Sequence, residues 1–251
     1  MQFETSDQIR LDYHVFGKGQ PLVLVAGFAG YQQIWARQIP FLVAQGFQVI
    51  TYDHRNHGAS QRTTKSLNMQ RLLLDLKELI TGLDLKQPIL IGHSMGASLC
   101  YGALGQFPEK LTAVVAVDQT PQMLAHGAWS PDFKRWLLQN VTGTFKRPLD
   151  PLVKKVLTPA ERLHPFPFVP NLPLLVDHAR QDWRSDLQNS QLPILLVVAS
   201  HSWYFDWHFI LPYLQKQNIH VVRLKSGHEV MAERPGTFNR VLGHFLTTQV
   251  H

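Results

Sequence analysis

Disulfide bonds have no place in this chain, because Cys100 is its single cysteine among 251 residues and no internal bridge can form. Charge is sparse too, at 17% of residues, with 24 Lys and Arg against 18 Asp and Glu for a net +6. The basic pairs Lys134-Arg135, Lys146-Arg147 and Lys154-Lys155 are short and dispersed, whereas nucleic acid and anionic lipid are held by clustered charge. They read as solvated surface, and nucleic acid is not an expected partner. Long apolar runs are missing as well. Pro21–Ala26 and Pro193–Ala199 fall far short of the ~20 residues that span a bilayer, which excludes stable membrane insertion by a helix. The opening MQFETSDQIR has no basic stretch leading into an apolar one. Together with the lone cysteine, that points to the cytoplasm.

What remains is ordinary globular composition: 45% hydrophobic residues, with 16 glycines and 16 prolines, outside the disordered and collagen-like ranges. A chain of this length can be served by one core carrying an insertion.

Short apolar runs recur along it. Ile9–Val15 alternates like a strand, and Pro21–Ala26, Val49–Tyr52, Ile89–Gly92, Ala113–Asp118, Pro193–Ala199 and His220–Leu224 read as strands buried on both faces. Most are separated by helix-sized segments, the βαβ alternation of a mostly parallel sheet flanked by helices. Asn68–Leu83 carries Leu72, Leu73, Leu76, Leu79, Ile80 and Leu83, a stripe with helical period. Behind Pro235, Phe238, Val241, Leu242, Phe245 and Leu246 have the spacing of a closing helix.

The rhythm breaks between Asp118 and Pro193, where nine of the 16 prolines fall and no strand is legible. Ser130-Pro131, Asp150-Pro151 and Thr158-Pro159-Ala160-Glu161 mark helix starts. Residues 121–190 are therefore expected to form a helical cap inserted into a core of residues 1–120 and 191–251. Of its aromatic residues, most are needed to bury a small helical layer. Trp129, Phe133, Trp136 and Phe166, with Trp203 beyond the cap, are candidates to line an apolar substrate pocket.

Gly92-His93-Ser94-Met95-Gly96 is a G-x-S-x-G pentapeptide directly after the run Ile89–Ile91 and directly before Ala97–Leu104, a good helix former. Strand, sharp turn and helix in that order push a serine hydroxyl up at a strand end, on the axis of a helix whose first amides favour negative charge. Ser94 is thus the candidate nucleophile. His93 reads as a packing residue beneath it, and Cys100, six residues into the helix, as a small inert core side chain.

From its first strands to its closing helix the chain resembles the α/β-hydrolase superfamily, in its serine esterase and lipase-like branch. The resemblance implies an eight-stranded, mostly parallel sheet. Ala26-Gly27-Phe28-Ala29-Gly30 is similar to that family's oxyanion loop, with Ala26 where His is common, and assigns the backbone N–H groups of Phe28 and Met95 to the oxyanion hole. One such donor is worth about 3 kcal/mol of barrier, and because amides do the work Ala26 does not remove it. Asp53-His54-Arg55-Asn56-His57-Gly58-Ala59-Ser60 is similar to the D-x-R-G-x-G-x-S turn after the fourth strand, whose role is structural. Asp53, His54 and His57 are metal-ligand types, but their spacing is not H-E-x-x-H. No metal and no cofactor are expected.

Thirteen histidines are available. The family's Gly-His near the C-terminus singles out His228, in Ser226-Gly227-His228-Glu229, as the base. For the acid the choice lies between Asp118, ending the sixth strand as in some esterases of the family, and Asp206, after the seventh. Asp118 is preferred, since Asp206 sits in an aromatic run and can serve as a helix cap. Ser202 is a neutral hydrogen-bonding auxiliary.

The expected activity is hydrolysis of a small-molecule carboxylic ester with a modest apolar acyl group. Thioesters, lactones, carbon–carbon bonds beside a carbonyl, or perhydrolase and haloperoxidase-like chemistry are the alternatives on the same three residues. A non-catalytic ligand receptor is the rival from another class.

Overall fold

The computed structural model describes residues 1–123, 165–202, 207–213 and 215–250. Eight strands form one sheet: β1 (Gln2–Glu4), β2 (Arg10–Phe16), β3 (Pro21–Val25), β4 (Gln48–Tyr52), β5 (Ile89–His93), β6 (Ala113–Val117), β7 (Ile194–Ala199) and β8 (Ile219–Leu224). They lie in the order β1-β2-β4-β3-β5-β6-β7-β8. The pairs β1·β2 and β2·β4 are antiparallel and all the others parallel. Seven of the eight match runs legible in the sequence. The eighth, β1, is three residues at the exposed edge, too short to leave a pattern.

Helices α1 (Ile39–Ala44), α2 (Met69–Gly82), α3 (Met95–Gln106), α4 (Leu172–Arg180), α5 (Arg184–Asn189), α6 (Val230–Glu233) and α7 (Pro235–Gln249) cover the sheet. The start of α2 is set by Asn68, whose side chain accepts the Arg71 N–H at 2.8 Å, satisfying one of the amides a helix start leaves open.

Because side chains alternate along a strand, the sheet feeds two cores. Val23, Val25, Leu90, Val114, Ala116, Ile194 and Leu196 join the α2 leucines and α3 on one face. Leu22, Leu24, Ile89, Ile91, Val115, Val117, Leu195 and Val197 meet Leu42 of α1 and Phe238, Leu242, Phe245 and Leu246 of α7 on the other. Each such fully buried side chain contributes about 1.5–3 kcal/mol. Helix α3 is buried from Met95 through Leu104, which its small residues permit.

Of the stretch expected as a cap, residues 124–164 lie outside the described residues, and with them the three proline-marked helix starts. Further on, Leu174, Trp183 and Leu187 join the same core as the α2 leucines, so α4 and α5 cover the body of the sheet. Among the described residues no helix is long and apolar enough to cross a membrane.

One buried ion network braces the turn after β4. Arg55, fully buried, donates from Nε and Nη2 to Asp75 of α2 at 2.7 and 2.8 Å. It donates from Nη1 and Nη2 to Asp7 at 2.9 Å each, holding that carboxyl well below the usual carboxylate range. Asp75 is as buried as Arg55, whereas the Asp7 side chain is 33% exposed. Arg71 also donates from Nε to Asp75 at 2.9 Å, so Arg55→Met would take one of two cations from the buried Asp75 carboxylate and is expected to cost about 3 kcal/mol in urea unfolding. Asp7→Asn, on the exposed arm, is expected to cost about 1 kcal/mol or less.

Candidate active site

The parallel strands end nearly level. Val25 is in register with Tyr52 and with Gly92, His93 with Val117, Val117 with Val197, and Ala199 with Leu224. The next residues of each strand therefore emerge along one edge, and every described candidate is there.

Ser94 occupies the turn between β5 and α3 with φ 54° and ψ −124°, a left-handed conformation that costs a residue with a Cβ and persists only under surrounding constraint. Its N–H donates to Val117 C=O at 3.0 Å, and its own C=O accepts from Ala97 N–H at 2.8 Å and Ser98 N–H at 3.2 Å. A Cβ on Gly96 would lie 2.2 Å from Val25 O, so the helix reaches the sheet this closely only with glycine there. Met95 opens α3, where the first-turn amides have no partner within the helix. On the other side, a Cβ on Gly27 would lie 2.9 Å from Ser94 Cβ. The loop bearing Phe28 thus packs directly against the serine.

Asp118 follows β6 and is wholly buried, with φ 50°. Its N–H donates to Val197 C=O at 2.8 Å. Its Oδ1 accepts from Ala199 N–H at 2.9 Å, and its Oδ2 lies 2.7 Å from His228 Nδ1. The carboxylate is thus pinned by β7 and aimed at the histidine in the loop between β8 and α6. The same histidine is held from below: His93 Nε2 and the His228 C=O are 3.0 Å apart, and the two rings stand 4.5 Å apart. His93, read in the sequence as packing, is a support of the His228 loop.

Of the other expected site residues, Ser202 lies in the turn leaving β7, its N–H donating to Ala199 C=O at 3.4 Å. Phe166 packs edge-on against Phe28 at 5.0 Å and tilted against His57 at 4.7 Å, beside the Phe28 loop. Asp206, Trp129, Phe133, Trp136 and Trp203 lie outside the described residues. Cys100 is buried, which pushes its thiol up from the ordinary value.

The sequence reading gave the turn of His54 and His57 a structural role, but not what the two histidines hold. His54 Nε2 lies 2.9 Å from Ala26 C=O, and Ala29 N–H donates to His57 Nε2 at 3.2 Å. Both histidines stand in the turn after β4, and both hold the loop after β3. The signal available was adjacency, since consecutive apolar runs joined by one helix-sized segment pair as neighbours in a parallel sheet.

Asp53, His54 and His57 do not gather as metal ligands. Asp53 accepts the N–H groups of Gln32 and Ala59 at 2.8 and 3.0 Å, and the histidines are engaged by backbone. Among the described residues, the group with ligand types in reach is His93, His228 and Glu229, one ligand atom of each lying within 4.8 Å of the others. Its imidazoles are already tied to one another's loop and to Asp118.

A family model for the alpha/beta hydrolase fold matches residues 20–165, and the chain belongs to that family. It is 35% identical over 122 residues to a putative non-heme chloroperoxidase of Synechocystis sp., covering 48% of this chain and 44% of that protein. The chain spans about half the length of the curated relatives it matches. Among solved structures it resembles a bromoperoxidase from Bacillus anthracis, with a TM-score of 0.81 and 21% identity over 98% of this chain and 100% of that one. It also resembles an esterase from Exiguobacterium antarcticum, with a TM-score of 0.79 and 16% identity over 98% and 99%.

Burial holds four imidazoles down, His57 to about 3 and His54, His93 and His178 to about 4, against an unfolded value near 6.5. Between pH 6.5 and 4 the unfolded chain binds more protons than the folded one, so stability falls as pH falls. The melting temperature is expected to be highest at pH 7 and above and to drop steadily toward pH 4. A flat profile by thermal unfolding would contradict the neutral, buried state of these rings.

Proposed function

We propose that the protein is a serine hydrolase cleaving carboxylic esters of small to medium apolar acyl groups. Ser94 Oγ attacks the acyl carbonyl while His228 Nε2 takes the hydroxyl proton, and the carbonyl π electrons move onto oxygen. The Phe28 and Met95 amides receive that oxyanion. As the carbonyl re-forms, the carbon–oxygen bond to the alcohol breaks, and His228 returns the proton to the leaving group. Water, deprotonated by the same imidazole, then adds to the acyl carbon; the bond from that carbon to Ser94 Oγ breaks, the acid leaves, and His228 returns the proton to Oγ. Asp118 holds the Nδ1 proton and stabilises imidazolium.

The observation carrying this reading is the 2.7 Å contact of His228 Nδ1 with a fully buried Asp118, at the strand end beside the strained Ser94. It favours Asp118 over Asp206 as the acid. The aromatic wall of Phe28 and Phe166 supports an apolar acyl or alcohol group. The resemblance to haloperoxidases favours one second reading, perhydrolysis, in which hydrogen peroxide replaces water at the acyl-enzyme and a peracid leaves.

The test is intact-mass analysis after exposure to a fluorophosphonate, followed by turnover of p-nitrophenyl esters of increasing chain length with and without hydrogen peroxide and acetate. A single adduct is expected on the wild type and none on Ser94→Ala. Asp118→Asn is expected to lower kcat by roughly 10⁴-fold. Folded wild type without an adduct would favour a non-catalytic receptor.

A further inference from the structure

The Phe28 amide, on the hydrolase reading an oxyanion donor, sits at the tip of a four-residue turn. Gly30 N–H donates to Gly27 C=O at 3.0 Å, and Ala29 has φ 60°, the backbone of the third position of a type II turn, which favours glycine. A short turn with a Cβ in the left-handed region needs outside constraint to keep its shape.

That constraint comes from the turn after the neighbouring strand, β4. His54 Nε2 meets the Ala26 C=O at 2.9 Å on one side of Phe28, and His57 Nε2 accepts the Ala29 N–H at 3.2 Å on the other. Accepting at Nε2 places the His57 proton on Nδ1, which stands 2.9 Å from the Arg55 C=O and donates to it. The ring is fully buried and wedged between Phe28, at 6.1 Å edge-on, and Phe166, at 4.7 Å. The turn carrying it is fastened to α2 through Arg55, so the imidazole has a rigid base.

We infer that His57, with His54 as its counterpart, is a positioning residue: it sets the direction of the Phe28 amide by holding Ala29 N–H while His54 holds Ala26 C=O. The inference rests on the hydrolase reading for what that amide does. His57 touches Ala29, Arg55 and its aromatic neighbours, and acts on the reaction through the loop alone.

A space-filling role and a clamping role separate in two substitutions. Gln carries an acceptor oxygen about where Nε2 lies, so His57→Gln keeps a partner for Ala29 N–H. His57→Asn keeps a donor toward Arg55 C=O and strands Ala29 N–H. The measurements are kcat and KM with p-nitrophenyl butyrate, the rate of Ser94 labelling by a fluorophosphonate, and the melting temperature. The clamp predicts kcat and labelling of His57→Asn on the order of tenfold or more below His57→Gln, because misdirecting one oxyanion donor forfeits much of its contribution. KM should stay within about twofold, since binding shared by ground and transition states is untouched.

Equal kcat for the two variants overturns the inference. Should His57→Asn not fold, His54→Gln against His54→Asn makes the same comparison at Ala26 C=O, where Gln supplies the donor, and equality there overturns it as well. A folded wild type that neither labels nor turns over overturns the hydrolase reading and the clamp together. A wild type that labels at Ser94, with Gln and Asn variants alike, overturns the clamp alone.

Discussion

Parallel pairing in register from β4 through β8 is the constraint on which the rest of the site depends. A parallel sheet sends each chain back to the same end by a crossover, so the residues following these strands all emerge at the carboxyl edge. Gly27, Asp53, Ser94, Asp118 and His228 are distant in sequence and come to one edge because Val25, Tyr52, His93, Val117, Ala199 and Leu224 end their strands nearly level. A one-residue slip between β6 and β7 would remove the Ala199 N–H from the Asp118 carboxylate and turn each side chain of the slipped strand to the opposite core.

Rigidity at this edge is built in layers. The serine turn is held by Val117 and by α3, and Asp118 by β7. His228 is held by Asp118 on one nitrogen and, through its backbone, by His93. The loop of Phe28 is held by His54 and His57, whose turn is fastened to α2 by Arg55. Each layer buries polar groups that need partners, and the partners found are the backbone atoms that must not move. Neutral imidazole suits this edge because it carries no charge to desolvate, and His57 accepts from Ala29 and donates to Arg55 at once.

The relatives bear names from several chemistries, and that spread agrees with the physics of the scaffold. Attack on an acyl carbonyl needs the same nucleophile, base and oxyanion donors whether water or peroxide resolves the intermediate. In this chain Phe28, Phe166 and Phe168 pack against one another beside the loop after β3.

Seven strands, the α2 stripe, the closing helix and the Ser94 elbow were legible in the chain, because apolar periodicity and the glycines of a tight turn are local properties. The edge strand Gln2–Glu4 was too short to leave a period. Two carboxylates, Asp118 and Asp206, satisfied chain order equally, and no local property ranks them by reach. The contact of Asp118 with His228 spans 110 positions and exists only once β6, β7 and β8 lie side by side. The turn at Asp53–Ser60 could be read as structural, yet what it supports, the Ala26–Ala29 loop, was invisible until β4 paired with β3. Sequence by itself determined the elements and the family resemblance, since both follow from residues near one another in the chain. Tertiary structure decided that Asp118 meets His228 and that His54 and His57 meet the Ala26–Ala29 loop, because hydrogen bonds depend on distances in space that only sheet order and register set.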